Sequence, residues 1–229
     1  MEARLYAEDP ANGFLPSVGN LDHFRLPEDV RIETGVGKAA PVTPFYDPMV
    51  AKLVVHAPDR ARALNALIDA CDRVEVYPVK TNAAFLRRCL QSVDFESGAI
   101  TTGFIDRNVA NLTDDEISDA VITAGLSWRI EEFAEAAYSP ESLWAPSPSG
   151  LFGFRVNAPP VPATIPMLVN GTEHIALVRP DSAGDDWQWD ISVDGRELSP
   201  AVSLPTTYGE APRRPFKGPI HIFDRGTTY

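Results

Sequence analysis

Only two cysteines occur in 229 residues, Cys71 and Cys89. Both fall on apolar faces of helical patterns, which suits reduced core thiols and argues against a disulfide framework or a redox pair. Histidine is nearly as scarce. His23, His56, His174 and His221 stand apart, none with a partner at metal-ligand spacing, so no metal site is expected. Long apolar runs are missing as well: no stretch approaches the roughly 18 residues of a membrane span. The first 20 residues carry Glu2, Glu8 and Asp9 where a secretory leader would be basic and then apolar. These absences predict a cytoplasmic protein without membrane contact. Positive charge is the last shortage, with 20 Lys and Arg against 32 Asp and Glu for a net of −12. Residues 1–112 hold 12 basic and 15 acidic residues, whereas residues 113–229 hold 8 and 17. A nucleic-acid binder needs a cationic face to release counterions, and neither half supplies one.

What is present reads as two parts. "EARLYA" at 2–7 alternates like a strand, and "EDPANG" at 8–13 is dense in turn residues. Further short strands are expected around "GNLDHFRL" and "VRIETG", followed by a mostly apolar strand from Met49 to His56 after the Asp47-Pro48 turn. Asp59 is placed to cap a helix running to about Val74, in which Leu64, Leu67, Ile68 and Cys71 share one face. Thr81 or Asn82 is expected to cap a second helix, and Thr101 or Thr102 a third through "GFIDRNVANL". Residues 1–112 are therefore expected to form one α+β domain of antiparallel strands and helices. From 113 onward the pattern changes. Thr113 and Glu116 match a capping box, and Ile117, Val121, Ala124, Trp128 and Phe133 support a helix of several turns, weakened at Gly125 by about 1 kcal/mol relative to alanine. After a Pro- and Ser-rich stretch at 139–166, three strand-like segments are punctuated by Asn170-Gly171, Asp194-Gly195 and Arg225-Gly226. Residues 113–229 are expected to form a helix followed by an incomplete antiparallel β-barrel.

No Gly-rich phosphate loop, nucleophile elbow or spaced carboxylate pair occurs. A specific set of motifs does. "EARLYAEDPANGFLPSVGNLDHFRLP", "GVGKAAPVTPFYDPMVAKLVVHAPDRARALNAL", "VKTNAAFLRRCL" and "TTGFIDRN" follow one another over about 110 residues. Together they closely resemble the C-terminal part of the biotin carboxylase component of biotin-dependent carboxylases. The continuation, a helix, then "WAPSPSGLFGFRVNAPP", then strands, is similar to the domain that docks the α subunit of an acyl-CoA carboxylase onto its carboxyltransferase β subunit. "GFRVN" looks most like methylcrotonoyl-CoA carboxylase and its near relatives.

The resemblance implies a role for Arg4. In the family, ATP and bicarbonate form carboxyphosphate, and the arginine of this motif contacts the ureido oxygen of biotin and bicarbonate and stabilises the enolate. A permanent cation with a planar fork of donors suits that task better than lysine's point charge. Without the family, an arginine on an edge strand reads as a solvated charge or a salt-bridge partner. Glu2 and Glu8 either orient Arg4 or simply flank the strand. Arg31 and Asp47 match positions near a subunit contact in stand-alone biotin carboxylases, with a surface ion pair as the plainer reading. Lys52 lacks the methionine-flanked carrier hairpin of a biotin attachment site. Trp187 and Trp189 share a face at period two, which reads as core or interface burial. The resemblance further implies that biotin arrives on a carrier domain outside this chain. ATP and Mg or Mn are bound by an upstream portion, also outside it, so the chain alone is expected to be inactive. A non-catalytic module that docks onto a carboxyltransferase β subunit is the alternative.

Overall fold

The computed structural model describes residues 1–45, 47–114, 117–137, 161–180, 189–198 and 220–229. They form two compact units, one of Met1–Glu116 with Phe223–Tyr229, the other of Ile117–Ile222. From the sequence pattern the boundary is expected between 112 and 113, with everything after it in the second part. The last seven residues instead pack on the first.

In the first unit, β1 (Glu2–Tyr6) is followed by β2 (Glu8–Asp9), β3 (Leu15–Pro16), β4 (Gly19–Asn20), β5 (His23–Arg25), β6 (Arg31–Thr34), β7 (Pro41–Val42) and β8 (Met49–Val54). The central sheet has the order β1-β8-β6, antiparallel throughout, with β1 at its edge. Ala3 and Leu5 of β1 and Ala51 and Leu53 of β8 point inward, so the alternation read in "EARLYA" is the alternation of a sheet with one buried face. Beneath it lies α1 (Arg60–Asp72), whose Leu64, Leu67 and Cys71 join the same core. Asp59 caps this helix as expected, accepting from the Arg62 N–H at 2.8 Å.

Three helices follow β9 (Glu75–Tyr77): α2 (Ala83–Gln91), α3 (Val93–Ser97) and α4 (Phe104–Leu112). Their caps differ from expectation. Asn82 occupies the N-cap position of α2 without capping it, and Gly103 rather than Thr101 or Thr102 precedes α4. Ser92 caps the short α3, which the sequence reading does not separate, by accepting from Phe95 N–H. Thr113 closes α4 instead of opening the next helix, because its hydroxyl donates to the Val109 carbonyl at 2.8 Å.

The second unit contains α5 (Asp119–Ala137) and the strands β10 (Ala163–Val169), β11 (Thr172–Pro180), β12 (Trp189–Val193) and β13 (Arg196–Leu198). The strands pair in sequence order as an open antiparallel meander. Ile165, Ala176, Val178, Val193 and Leu198 cover one side of it and pack with Ile122 and Leu126 of α5. Arg196 clamps the sheet to the helix through Asp119, at 2.9 Å from Nη1 to Oδ2. Asp194 pins its own turn onto β11 by accepting from Ile175 N–H and pairing with His174 Nδ1 at 2.8 Å. The backbone bond first, and His174 second, hold that carboxyl below its ordinary range. Of the capping box, Glu116 lies outside the described residues, as do Trp187 and "WAPSPSGLFGFRVNAPP".

The Asn-Gly and Asp-Gly turns have the geometry their composition predicts, and the Arg-Gly turn shares it. Asn170-Gly171, Asp194-Gly195 and Arg225-Gly226 all hold positive φ at both residues, the type I′ condition for a two-residue hairpin. The last of them joins β14 (Phe223–Asp224) to β15 (Thr227–Thr228). This hairpin sits on the first unit: Phe223 stacks on His23 at 4.7 Å, and the Thr228 hydroxyl donates to the Val76 carbonyl at 2.8 Å. A Cβ at Gly226 would lie 2.8 Å from the Cys71 carbonyl oxygen and 2.9 Å from the Ala83 Cβ, at φ +75°. Gly226→Ala is therefore expected to release the hairpin. Limited trypsin digestion should then cleave after Arg225 at least severalfold faster than in the parent chain, and an unchanged rate would contradict this packing.

Candidate active-site face

β1 carries the candidate residues on its outward positions. Glu2 and Arg4 project away from the core, and Tyr6 is half-buried. Arg4 is 60% exposed and donates from Nε to Glu2 Oε1 at 3.2 Å. Hydrogen bonds to Glu2 and then Tyr6 raise the guanidinium further above its ordinary value, so it is a fixed cation. Across the sheet it stands opposite Lys52, and Lys52 stands opposite Glu33. The Lys52 ammonium lies 3.4 Å from Glu33, which also pairs with Arg31. Arg31 first, and Lys52 after it, lower the Glu33 carboxyl. Arg31 and Lys52 thus belong to an exposed charge network on the sheet, worth little to stability. Asp47 accepts from Met49 N–H at 3.0 Å, forming the turn that starts β8.

Beside Arg4 the surface opens into a depression of about 660 Å³. Glu2, Arg4, Tyr6, Glu8 and Asn82 form its polar edge, while Phe85, Leu86, Cys89 and Leu90 of α2 with Phe95 and Ile105 form an apolar wall. Phe14 packs edge-on against Phe85 with centroids 5.0 Å apart. Burial pushes the Glu8 carboxyl up, and a hydrogen bond with Asn82 opposes part of that shift.

The structure also gives the spaced motifs a common location. Lys80 of "VKTN" places its ammonium 2.6 Å from Asp9 of "AEDP" and donates its backbone N–H to Ser17 of "FLPS" at 2.9 Å. Asn82 of the same motif binds the backbone of β1 on either side of Leu5. No spacing in the sequence signals these contacts, because they join residues more than 60 positions apart.

Both cysteines are inert by environment. Burial drives the Cys71 thiol to about 12 and the Cys89 thiol to about 11. At pH 8 neither should react measurably with a thiol reagent in the folded chain, and both should react in denaturant. Fast native labelling of Cys89 would show that the apolar wall of the depression opens. Among the described residues no group of three His, Cys, Asp or Glu could hold a metal ion, and none of the helices there is long and apolar enough to cross a membrane.

An edge strand bearing an exposed cation, braced by the loop before α2, thus borders a cleft in an α+β lobe of antiparallel strands and helices. Residues 2–107 match the biotin carboxylase C-terminal domain family, and that part of the chain belongs to it. The methylcrotonoyl-CoA carboxylase α subunit of Dictyostelium discoideum, a mitochondrial protein, is 37% identical over 164 residues, covering 68% of this chain and 23% of that protein. The propionyl-CoA carboxylase α chain of Ruegeria pomeroyi is 33% identical over 167 residues, covering 61% and 24%. A structure of Rhizobium etli pyruvate carboxylase with acetyl coenzyme A shares the fold, with a TM-score of 0.51 at 24% identity, covering 60% of this chain and 13% of that one. The chain thus spans about a quarter of the length of these curated relatives.

Proposed function

We propose that this chain contributes the C-terminal lobe of biotin carboxylase to an acyl-CoA carboxylase, and that Arg4 is its catalytic residue. Its position carries the reading. The motif that marks the family lies on a rigid edge strand and directs a permanently charged fork to the rim of a cleft. When bound, biotin supplies a ureido nitrogen as the carboxyl acceptor. The exposed guanidinium of Arg4, with Nε engaged by Glu2, fits the ureido oxygen through its planar set of donors. Its charge offsets the negative charge that develops on that oxygen. Glu2 and Tyr6 restrain the guanidinium, so little reorganisation is needed at the moment of reaction.

In this reading ATP, its metal ion and the carrier bearing biotin belong to other parts of the carboxylase; among the described residues no group of three His, Cys, Asp or Glu could hold a metal ion. The second unit would dock onto a carboxyltransferase β subunit, a role supported by its outward sheet face, where Leu168 is 73% exposed and Ile175 and Leu177 are also open. Incorporation of labelled bicarbonate into free biotin by the complete carboxylase tests the catalytic assignment. Activity lost in Arg4→Ala supports it. Activity unchanged in that variant, with carboxyltransferase binding retained, would assign the chain to docking alone.

A further inference from the structure

We infer that Asn82 is the positioning residue for Arg4, holding the open edge of β1 as a missing strand would. The inference rests on the proposed role of Arg4. In the order β1-β8-β6, β1 has a hydrogen-bonded neighbour on one side only. The backbone groups of Arg4 and Tyr6 point to the other side, where unpaired polar groups are costly once buried. Asn82 meets them. Its Oδ1 accepts from Tyr6 N–H at 2.9 Å, its Nδ2 donates to the Arg4 carbonyl at 3.3 Å, and its own N–H donates to the Tyr6 carbonyl at 3.1 Å. Only one orientation of the amide satisfies both side-chain contacts, because an N–H needs the oxygen and a carbonyl needs the nitrogen.

Two further observations separate this from ordinary packing. Asn82 is 4% exposed, so its amide is committed to the protein. It also occupies the N-cap position of α2, where asparagine normally binds the first free amides, yet makes no such bond. The amide is turned away from its own helix toward a strand more than 70 residues earlier. Lys80, two positions before it, adds the contacts to Asp9 and Ser17, so the loop grips β1 and the turn after it together. The guanidinium of Arg4 stands at the end of a long side chain whose direction follows the backbone of residues 4 to 6.

The test is steady-state carboxylation of free biotin by the complete carboxylase carrying Asn82→Ala or Asn82→Asp, each alone and combined with Arg4→Lys. Each Asn82 variant should lower kcat/KM for biotin about tenfold, the order expected for a sub-ångström misplacement, with KM for ATP unchanged. Added to Arg4→Lys, each should cost less than about twofold, since lysine has no fork to align. Asn82→Asp retains the acceptor for Tyr6 N–H and loses the amide donor to the Arg4 carbonyl together with the hydrogen bond to Glu8, so it reads the same comparison if the alanine variant does not fold. Losses that multiply in the Arg4→Lys background, an equal rise in KM for ATP, or no loss at all would overturn the inference. Wild-type activity in Arg4→Lys itself would instead overturn the role of Arg4.

Discussion

Arg4→Ala is expected to lower kcat for biotin carboxylation by roughly 10²–10³, about 3–4 kcal/mol, the magnitude seen when one preorganised donor to a developing anion is removed. The loss should appear in kcat and in KM for biotin, while KM for ATP stays within about twofold, because the proposed role of Arg4 is contact with biotin alone of the two. Arg4→Lys should fall between the two, keeping the charge and losing the paired donors. Thermal unfolding should not move. The guanidinium is 60% exposed and its bond to Glu2 is a surface pair, so a drop in melting temperature matching the loss of activity would mean that Arg4 serves the fold and not the chemistry.

The second large effect is on stability. Leu67 is fully buried at the centre of the first unit, on α1 beneath the β1-β8-β6 sheet. Leu67→Ala removes apolar contact and leaves a cavity that the surrounding backbone can only partly fill, at a cost of about 3–5 kcal/mol. In urea the unfolding midpoint of the first unit should fall with the slope unchanged. A loss under about 1 kcal/mol would show that this core is loosely packed. Arg4→Ala and Leu67→Ala thus make opposite predictions for activity and for stability.

Much of this was legible in the chain itself, where the physics is local. The one-sided burial of "EARLYA", the Asp59 cap, the face of Leu64, Leu67 and Cys71, and the type I′ hairpins at Asn170-Gly171 and Asp194-Gly195 all follow from period, capping chemistry and the tolerance of Asn, Asp and Gly for positive φ. The motif set led to the biotin carboxylase family, which residues 2–107 match. Less local matters were misread. Thr113 looked like the start of a helix and ends one, because a hydroxyl can serve either end and here donates to the Val109 carbonyl. Asn82 looked like a cap and is a brace.

Two features were decided only by tertiary structure. The last hairpin returns to the first unit because Gly226 alone can approach Cys71 and Ala83 so closely and Phe223 finds the His23 ring, partners that no window of sequence contains. The setting of Arg4 is the other. Sequence determined that an arginine sits at position 4 of an alternating strand, and family resemblance suggested its chemistry. The orientation of its strand is set by Asn82, Lys80, Asp9 and Ser17, brought together when the chain closes loops of 63 to 78 residues. Local propensity acts over a few residues, whereas the aim of a functional side chain depends on contacts that exist only after the core has formed.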